Sequence, residues 1–364
     1  MSITLVLLIP VLILLFIWIG SLWLVRGEDL AAYDHPLDPA GAETIASQGG
    51  ISVEHGHAVT EIAAMGAQVG GMSRKQMLQL TRDFMEEVPS GKTFSCEFVP
   101  TQVNGRPAEW VLAPGIDPAR RVLYIHGGAF IAGSPNSHRT ITSRFSEIAN
   151  AAVLAIDYRL MPEHARREGI EDCKKAYRWV LENGPTGPAE PARLFMGGDS
   201  AGGNLSLVLA AWIRDEGLRL PDAVIAMSPL TDSTYSGASI RNNLETDVML
   251  GPLFGGLVKI PRAVLSWIYF IENKVRPSHP EVSPVFGDLG GLPPTLLQVS
   301  EAEMLLDDSR RYVNKARGAG SPVFLQSWGG LLHVWQIFYP EVPEARAAWE
   351  HIGAFLQKAE QGIS

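Results

Sequence analysis

Cysteine is nearly missing. Cys96 and Cys173 are the two in 364 residues, too few for a disulfide framework or a thiolate metal site. Cys173 shares a helical apolar pattern with Ile170, Tyr177, Val180 and Leu181, the setting of a buried free thiol rather than a reactive one. Cations are also scarce: Lys and Arg number 30 against 39 Asp and Glu, a net charge of -9. That balance argues against a nucleic acid or another polyanion as partner. No internal repeat is visible, and no cluster of ligand-type residues offers itself to a metal. The first 25 residues have no charged side chain at all. Ile3 to Val25 is instead an almost unbroken apolar run, long enough as a helix, at about 1.5 Å per residue, to cross about 30 Å of hydrocarbon. A cleavable signal peptide would want a basic start, a shorter apolar stretch and a small-x-small cleavage site, and none is plain here. The expectation is an uncleaved transmembrane anchor over residues 1–26. Its orientation is weakly specified, because Arg26 is followed at once by Glu28 and Asp29.

What is present beyond the anchor reads as one large α/β domain with appendages. Residues 27–72 contain Pro36, Pro39, Gly41, Gly49 and Gly50 and read as a tether and the start of a cap. His55 and His57, two apart, are expected in a solvated loop there. Ser73 followed three residues later by Gln76 makes a capping box, after which Met77, Leu80, Phe84 and Val88 share one face of a helix ending before Pro89. The default role of that face is packing, although a helix ahead of the main sheet can also cover a site. Candidate strands then fall at 95–99, 109–113, 121–126, 152–157, 193–196, 223–227, 295–299 and 323–327. Helical patterns lie at 137–150, 170–183, 204–216 and 306–319. Such alternation predicts a mainly parallel sheet covered on both faces, with the early strands as an antiparallel edge. Residues 234–280 break the rhythm and read as an insertion over the strand ends, where ligands of open α/β sheets bind.

The segment Gly198-Asp199-Ser200-Ala201-Gly202-Gly203 fits G-x-S-x-G and sits between an apolar strand and a helix. Its glycines permit a sharp turn that pushes the serine hydroxyl out. Alone, the string is equally well a glycine-rich turn with a capping serine. Acyl transfer needs more than a nucleophile: a base, an acid to orient it, and donors for the oxyanion. His126-Gly127-Gly128-Ala129-Phe130 follows a strand, and the amides of Gly127 and Gly128, joined by that of Ala201, are candidate donors. His333, after the last predicted strand, is the candidate base, since it completes the order serine, acid, histidine. His126 and His164 precede the serine, His279 lies in the insertion, and His351 is on the C-terminal helix. The acid is open among Glu301, Glu303, Asp307 and Asp308, each of which is also explained as a helix N-terminal acid favoured by the dipole.

These segments together resemble the hormone-sensitive-lipase-like esterases, bacterial α/β-hydrolases with an HGG motif. His126 to Phe130 is similar to their HGGGF or HGGAF, and Asp157-Tyr158-Arg159-Leu160-Met161-Pro162-Glu163-His164 to their DYRLAPEH. Gly198 to Gly203 matches GDSAGG, Ser283-Pro284 through Leu292-Pro293-Pro294-Thr295 matches the approach to the acid strand, and His333-Val334-Trp335 matches HVW. The likeness runs from about residue 73 to 355. It implies an α/β-hydrolase fold: a mainly parallel sheet flanked by helices, a hydrolase domain over 73–364, and a helical cap from about 73–90 and 234–280. It further implies Ser200 as nucleophile, His333 as base, and oxyanion amides at Gly127, Gly128 and Ala201. The acid loop departs from the family, because Ala302 stands where DExLLDD has its first Asp. Measured back from the histidine, a D-x-L aspartate falls on Glu303, which becomes the expected acid, with Asp307 next and Glu301 third. Asp199 and Glu163 are expected to be structural hydrogen-bonding groups. The expected function is a membrane-anchored serine carboxylesterase acting on a small-molecule ester with short to medium acyl chain, requiring no cofactor. The alternatives are a lactonase or amidase with the same triad, or a non-catalytic ligand-binding protein, which would be expected to lack a triad member.

Overall fold

Strands and helices alternate as the apolar pattern requires. The computed structural model describes residues 3–45, 50–68 and 70–362. The N-terminal third holds α1 (Ile3–Leu24), β1 (Ala42–Ile45), α2 (Val53–Gln68), α3 (Arg74–Glu87), β2 (Glu97–Val103), β3 (Arg106–Leu112) and β4 (Asp117–Ile125). There follow α4 (Arg139–Ala149), β5 (Ala151–Ile156), α5 (Arg166–Glu182), a small hairpin of β6 (Asn183–Gly184) and β7 (Gly187–Pro188), β8 (Arg193–Asp199), α6 (Ala201–Asp215) and β9 (Ala223–Met227). The insertion supplies α7 (Ser239–Asn242), α8 (Leu250–Val258) and α9 (Arg262–Asn273). The chain closes with β10 (Thr295–Ser300), α10 (Leu306–Gly318), β11 (Val323–Trp328) and α11 (Pro343–Glu360).

The main sheet has the order β1-β11-β10-β9-β8-β4-β5-β3-β2. It is parallel from β1 to β5, and the two early strands β3 and β2 form the antiparallel edge. β5 and β9 read Ala-Ala-Val-Leu-Ala-Ile and Ala-Val-Ile-Ala-Met and are buried at every residue, because helices cover both faces of a parallel sheet. Alternation along a strand divides the core. Leu123, Ile125, Leu154 and Met196 pack with Tyr177 of α5, Leu205 of α6 and Tyr312 of α10. Val122, Tyr124, Val153 and Phe195 pack on the other face with Phe145 of α4 and Trp349 of α11. Since the parallel strands run the same way, the loops after β4, β8, β9, β10 and β11 meet at one end of the sheet.

Two stretches differ from the sequence expectation. Residues 30–45 are docked rather than a free tether: β1 pairs with β11 from Ala42 opposite Leu325 to Ile45 opposite Trp328. Ahead of it, Asp34 pairs with Arg311 at 2.5 and 2.6 Å, and Asn314 donates to the carbonyls of Tyr33 and His35. Four residues with two half-exposed ends give no readable period. The expected loop around His55 and His57 is the first turn of α2, with His55 buried and His57 exposed. α3 forms as expected, with the reciprocal Ser73 and Gln76 capping box in place.

α1 lies against α9 of the insertion: Trp267 Nε1 donates to Ser21 Oγ at 2.9 Å, and Trp23 meets the ring of Phe270 edge-on. Even so, Phe16, Trp18 and Trp23 remain among the exposed side chains. Among the described residues, no single helix is long and apolar enough to cross a membrane.

Candidate active site

Ser200 occupies the turn from β8 to α6 with φ 51° and ψ −114°, a conformation that costs an L-residue about 1–3 kcal/mol. Neighbouring contacts hold it there. The Ser200 N–H donates to the Met227 carbonyl at 2.7 Å, and its own carbonyl accepts from Asn204 N–H at 3.0 Å. The turn is tight enough to require glycine: a Cβ on Gly202 would lie 1.9 Å from the Ile125 carbonyl oxygen, and one on Gly198 2.5 Å from that same oxygen. The motif therefore reflects a close backbone approach between α6 and β4, with the serine side chain thrust out at the strand end.

His333 lies between Ser200 and Glu303. Its Nε2 is 2.9 Å from Ser200 Oγ and its Nδ1 is 2.6 Å from Glu303 Oε2. Glu303 is fully buried, and its other oxygen accepts from Ser228 Oγ at 2.8 Å and from Ser300 N–H at 2.7 Å. Burial raises the pKa of the Glu303 carboxyl, with the His333 imidazole opposing that shift. For His333, burial works against the charged ring, but the charge and hydrogen bond of Glu303 outweigh it and raise its pKa. A carboxylate at Nδ1 fixes the proton there, which leaves Nε2 to accept from the serine hydroxyl. The other three acids are engaged elsewhere. Asp307 accepts from Ser239 N–H at 2.7 Å, Glu301 from Ser327 Oγ at 3.4 Å, and Asp308 from the amides of Thr231 and Asp232.

The turn after β4 departs from one expectation. Gly127 N–H donates to Asp199 Oδ1 at 3.0 Å, so this amide is already committed to the scaffold and is not a free oxyanion donor. The next residues take positive φ: 107° at Gly128, 53° at Ala129 and 64° at Phe130. Among the described residues, the N–H groups of Gly128 and Ala129 meet no acceptor, and that of Ala201 opens α6, where a helix has no internal partner for it. Among the described residues, the unengaged amides here are therefore those of Gly128, Ala129 and Ala201, and Gly127 is not one of them. The sequence held no signal for this difference, because it depends on where one aspartate oxygen lands.

Asp199 and Glu163 fasten this end of the sheet. Asp199 also accepts from the Tyr124 hydroxyl and lies 3.4 Å from His138 Nε2. Its burial disfavours the charge, but His138 and Tyr124 outweigh that and lower its pKa. His126 stacks on Tyr158 with ring centroids 4.3 Å apart, and burial drives its pKa down to about 3, so its ring is neutral. Glu163 makes a two-pronged pair with Arg82 of α3 at 2.9 and 2.8 Å and is held down to about 2 by it. Arg82 donates in addition to the Ile131 carbonyl at 2.8 Å, which ties α3 to the segment just past Phe130. Among the described residues, no group of three or more His, Cys, Asp or Glu is arranged to hold a metal ion.

Known proteins similar to this chain include hydrolases and esterases. Residues 122–337 match the alpha/beta hydrolase fold family. An acetyl-hydrolase of Streptomyces hygroscopicus is 39% identical over 252 residues, covering 69% of this chain and 80% of its own. An esterase of Acinetobacter venetianus is 35% identical over 234 residues, covering 64% and 73%. Among solved structures, EstE5 soaked with ethyl alcohol superposes with a TM-score of 0.74 at 35% identity, covering 85% of this chain and 99% of its own. An esterase from the bacterial hormone-sensitive lipase family superposes at 0.71 with 34% identity, covering 86% and 99%.

Proposed function

The chain belongs to the α/β-hydrolase fold family and is a carboxylic-ester hydrolase of the hormone-sensitive-lipase type, and from that premise we propose that it cleaves short- to medium-chain acyl esters through an acyl-enzyme on Ser200. The observation that carries this reading is the single imidazole of His333 within 2.9 Å of Ser200 Oγ and 2.6 Å of a buried Glu303 carboxylate. In the proposed reaction the Ser200 oxygen attacks the ester carbonyl while His333 Nε2 takes its proton. Glu303 stabilises the imidazolium, and the amides of Gly128, Ala129 and Ala201 donate to the oxyanion. His333 then delivers the proton to the leaving alkoxide, and water, deprotonated by the same imidazole, releases the acid.

The acyl-chain preference draws support from the name acetyl-hydrolase borne by the Streptomyces relative and from a solved relative, EstE5, that was soaked with p-nitrophenyl butyrate. The cap is proposed to comprise α3 with α7, α8 and α9, a grouping supported by the Arg82 and Glu163 pair and by Asn243 of the insertion, which donates to the Glu301 and Glu303 carbonyls at 2.8 Å. Residues 1–26 are proposed to anchor the enzyme at a membrane, a role supported by the exposed Phe16, Trp18 and Trp23 of α1. Rates on matched ester, lactone and amide substrates of increasing acyl length test the reaction. The ester with a short acyl group is expected to turn over fastest; a preference for the amide or for long acyl chains would overturn the assignment.

A further inference from the structure

The loop that carries His333 is pinned at successive backbone amides by side chains from three elements. Leu331 N–H donates to Ser300 Oγ at the end of β10, at 2.9 Å. Val334 N–H donates to Ser228 Oγ after β9, at 3.2 Å. Leu332 N–H, next to His333 itself, donates at 3.0 Å to Nε2 of His55, and His55 belongs to α2, in the N-terminal segment.

The start of α2 is itself anchored. Ser52 caps the helix by accepting from His55 N–H at 3.1 Å. Its own N–H and hydroxyl both donate to the Glu344 carboxylate in the first turn of α11, at 2.7 Å each. The next turns of α2 pack Ala58 and Ile62 with Leu331, Leu332 and Trp335. A polar ring in this apolar setting calls for a reason. His55 can accept from Leu332 only with Nε2 bare, so the neutral ring carries its proton on Nδ1, which has no partner among the described residues. A buried donor left unmet is destabilising, and an apolar side chain of similar size would avoid it. Burial lowers the pKa of His55, against the pull of Glu344, and so favours the neutral form the bond requires.

We propose that His55 is a positioning residue for ester hydrolysis: it holds the amide of Leu332, the residue before His333, so that the imidazole meets both Ser200 and Glu303, and it makes α2 part of the working site. The inference rests on His333 acting as the base.

The test uses the full chain. His55→Leu removes the acceptor, and His55→Gln supplies another at similar reach. Val180→Ala, in the α5 core, controls for loss of stability in general. The expected result is a kcat about 10- to 100-fold lower in His55→Leu with KM within about twofold, recovery in His55→Gln to within about fivefold of the parent, and near-parental kcat in Val180→Ala. Parental kcat in His55→Leu, equal slowness in His55→Gln, or equal slowness in Val180→Ala at matched thermal midpoint would each overturn the role. Should His55→Leu not fold, Ser52→Ala decides, since it loosens the start of α2 with His55 in place: a lowered kcat at constant KM supports the role and an unchanged kcat overturns it. Labelling of the parent by a fluorophosphonate is run alongside. Label on Ser200 with indifferent His55 variants sinks this inference alone; label elsewhere sinks it together with the reading of the site.

Discussion

Two glycine-rich turns end the neighbouring strands β4 and β8, and they solve opposite problems. The β8 turn uses its glycines to let α6 press against β4, at distances no Cβ permits, so that one side chain, Ser200, is forced out. The β4 turn takes positive φ at Gly128, Ala129 and Phe130, and the amides of Gly128 and Ala129 meet no acceptor among the described residues. Asp199 links the two: it belongs to the first turn and accepts the Gly127 amide of the second. The difference shows that glycine in a motif can mark a close approach or a free donor, and that only hydrogen-bond accounting tells which.

Substitutions that act on one turn at a time can break this contrast. The largest effect is expected at Ser200→Ala, where ester turnover should fall by about 10⁶-fold while the circular dichroism spectrum and thermal midpoint stay parental. Glu303→Gln, which strips the imidazole of its anion, should cost about 10⁴-fold in kcat, whereas Asp307→Asn should remain within about twofold. The same variant carries a pH signature. Activity requires Nε2 unprotonated, so kcat/KM is lost as pH falls through the His333 pKa. Because Glu303 raises that pKa, the acid limb in Glu303→Gln should move to lower pH.

On the β4 turn, Gly128→Ala places a methyl 2.2 Å from the Ala132 carbonyl oxygen at a φ of 107°; distorting the free amides should lower kcat by about 10²- to 10³-fold, the range for a lost oxyanion donor. Within the two turns, the smallest kinetic effect should come from the link between them. Asp199→Asn keeps an acceptor for Gly127 and Tyr124 but loses the charge facing His138. It should cost about 1–3 kcal/mol of stability in urea denaturation with kcat lowered by less than about tenfold. A larger kinetic loss at Asp199 than at Gly128 would erase the distinction between scaffold and donor.

Much of this was legible in the residues. Each of the eight strands expected from the apolar pattern appears in the sheet, the early ones at its antiparallel edge. Ser200 and His333 were readable from motif and chain order, Glu303 only through the family resemblance, and the structure brings all three within hydrogen-bond reach. What escaped depends on distant pairing. β1 is a four-residue edge strand that exists because β11 offers it an edge. His55 has no local pattern that announces Leu332, 277 positions away. Gly127 carries the same letter as Gly128, and only the bond to Asp199 sets its amide apart.

The central claim is that Ser200 is activated by the imidazole of His333. It is tested most directly by incubating the chain with a fluorophosphonate and locating the adduct by peptide mass spectrometry. One adduct per chain is expected, on Ser200, forming orders of magnitude more slowly once His333 is replaced by Ala. An adduct on any other residue, or one forming on Ser200 at the parental rate without His333, would contradict it.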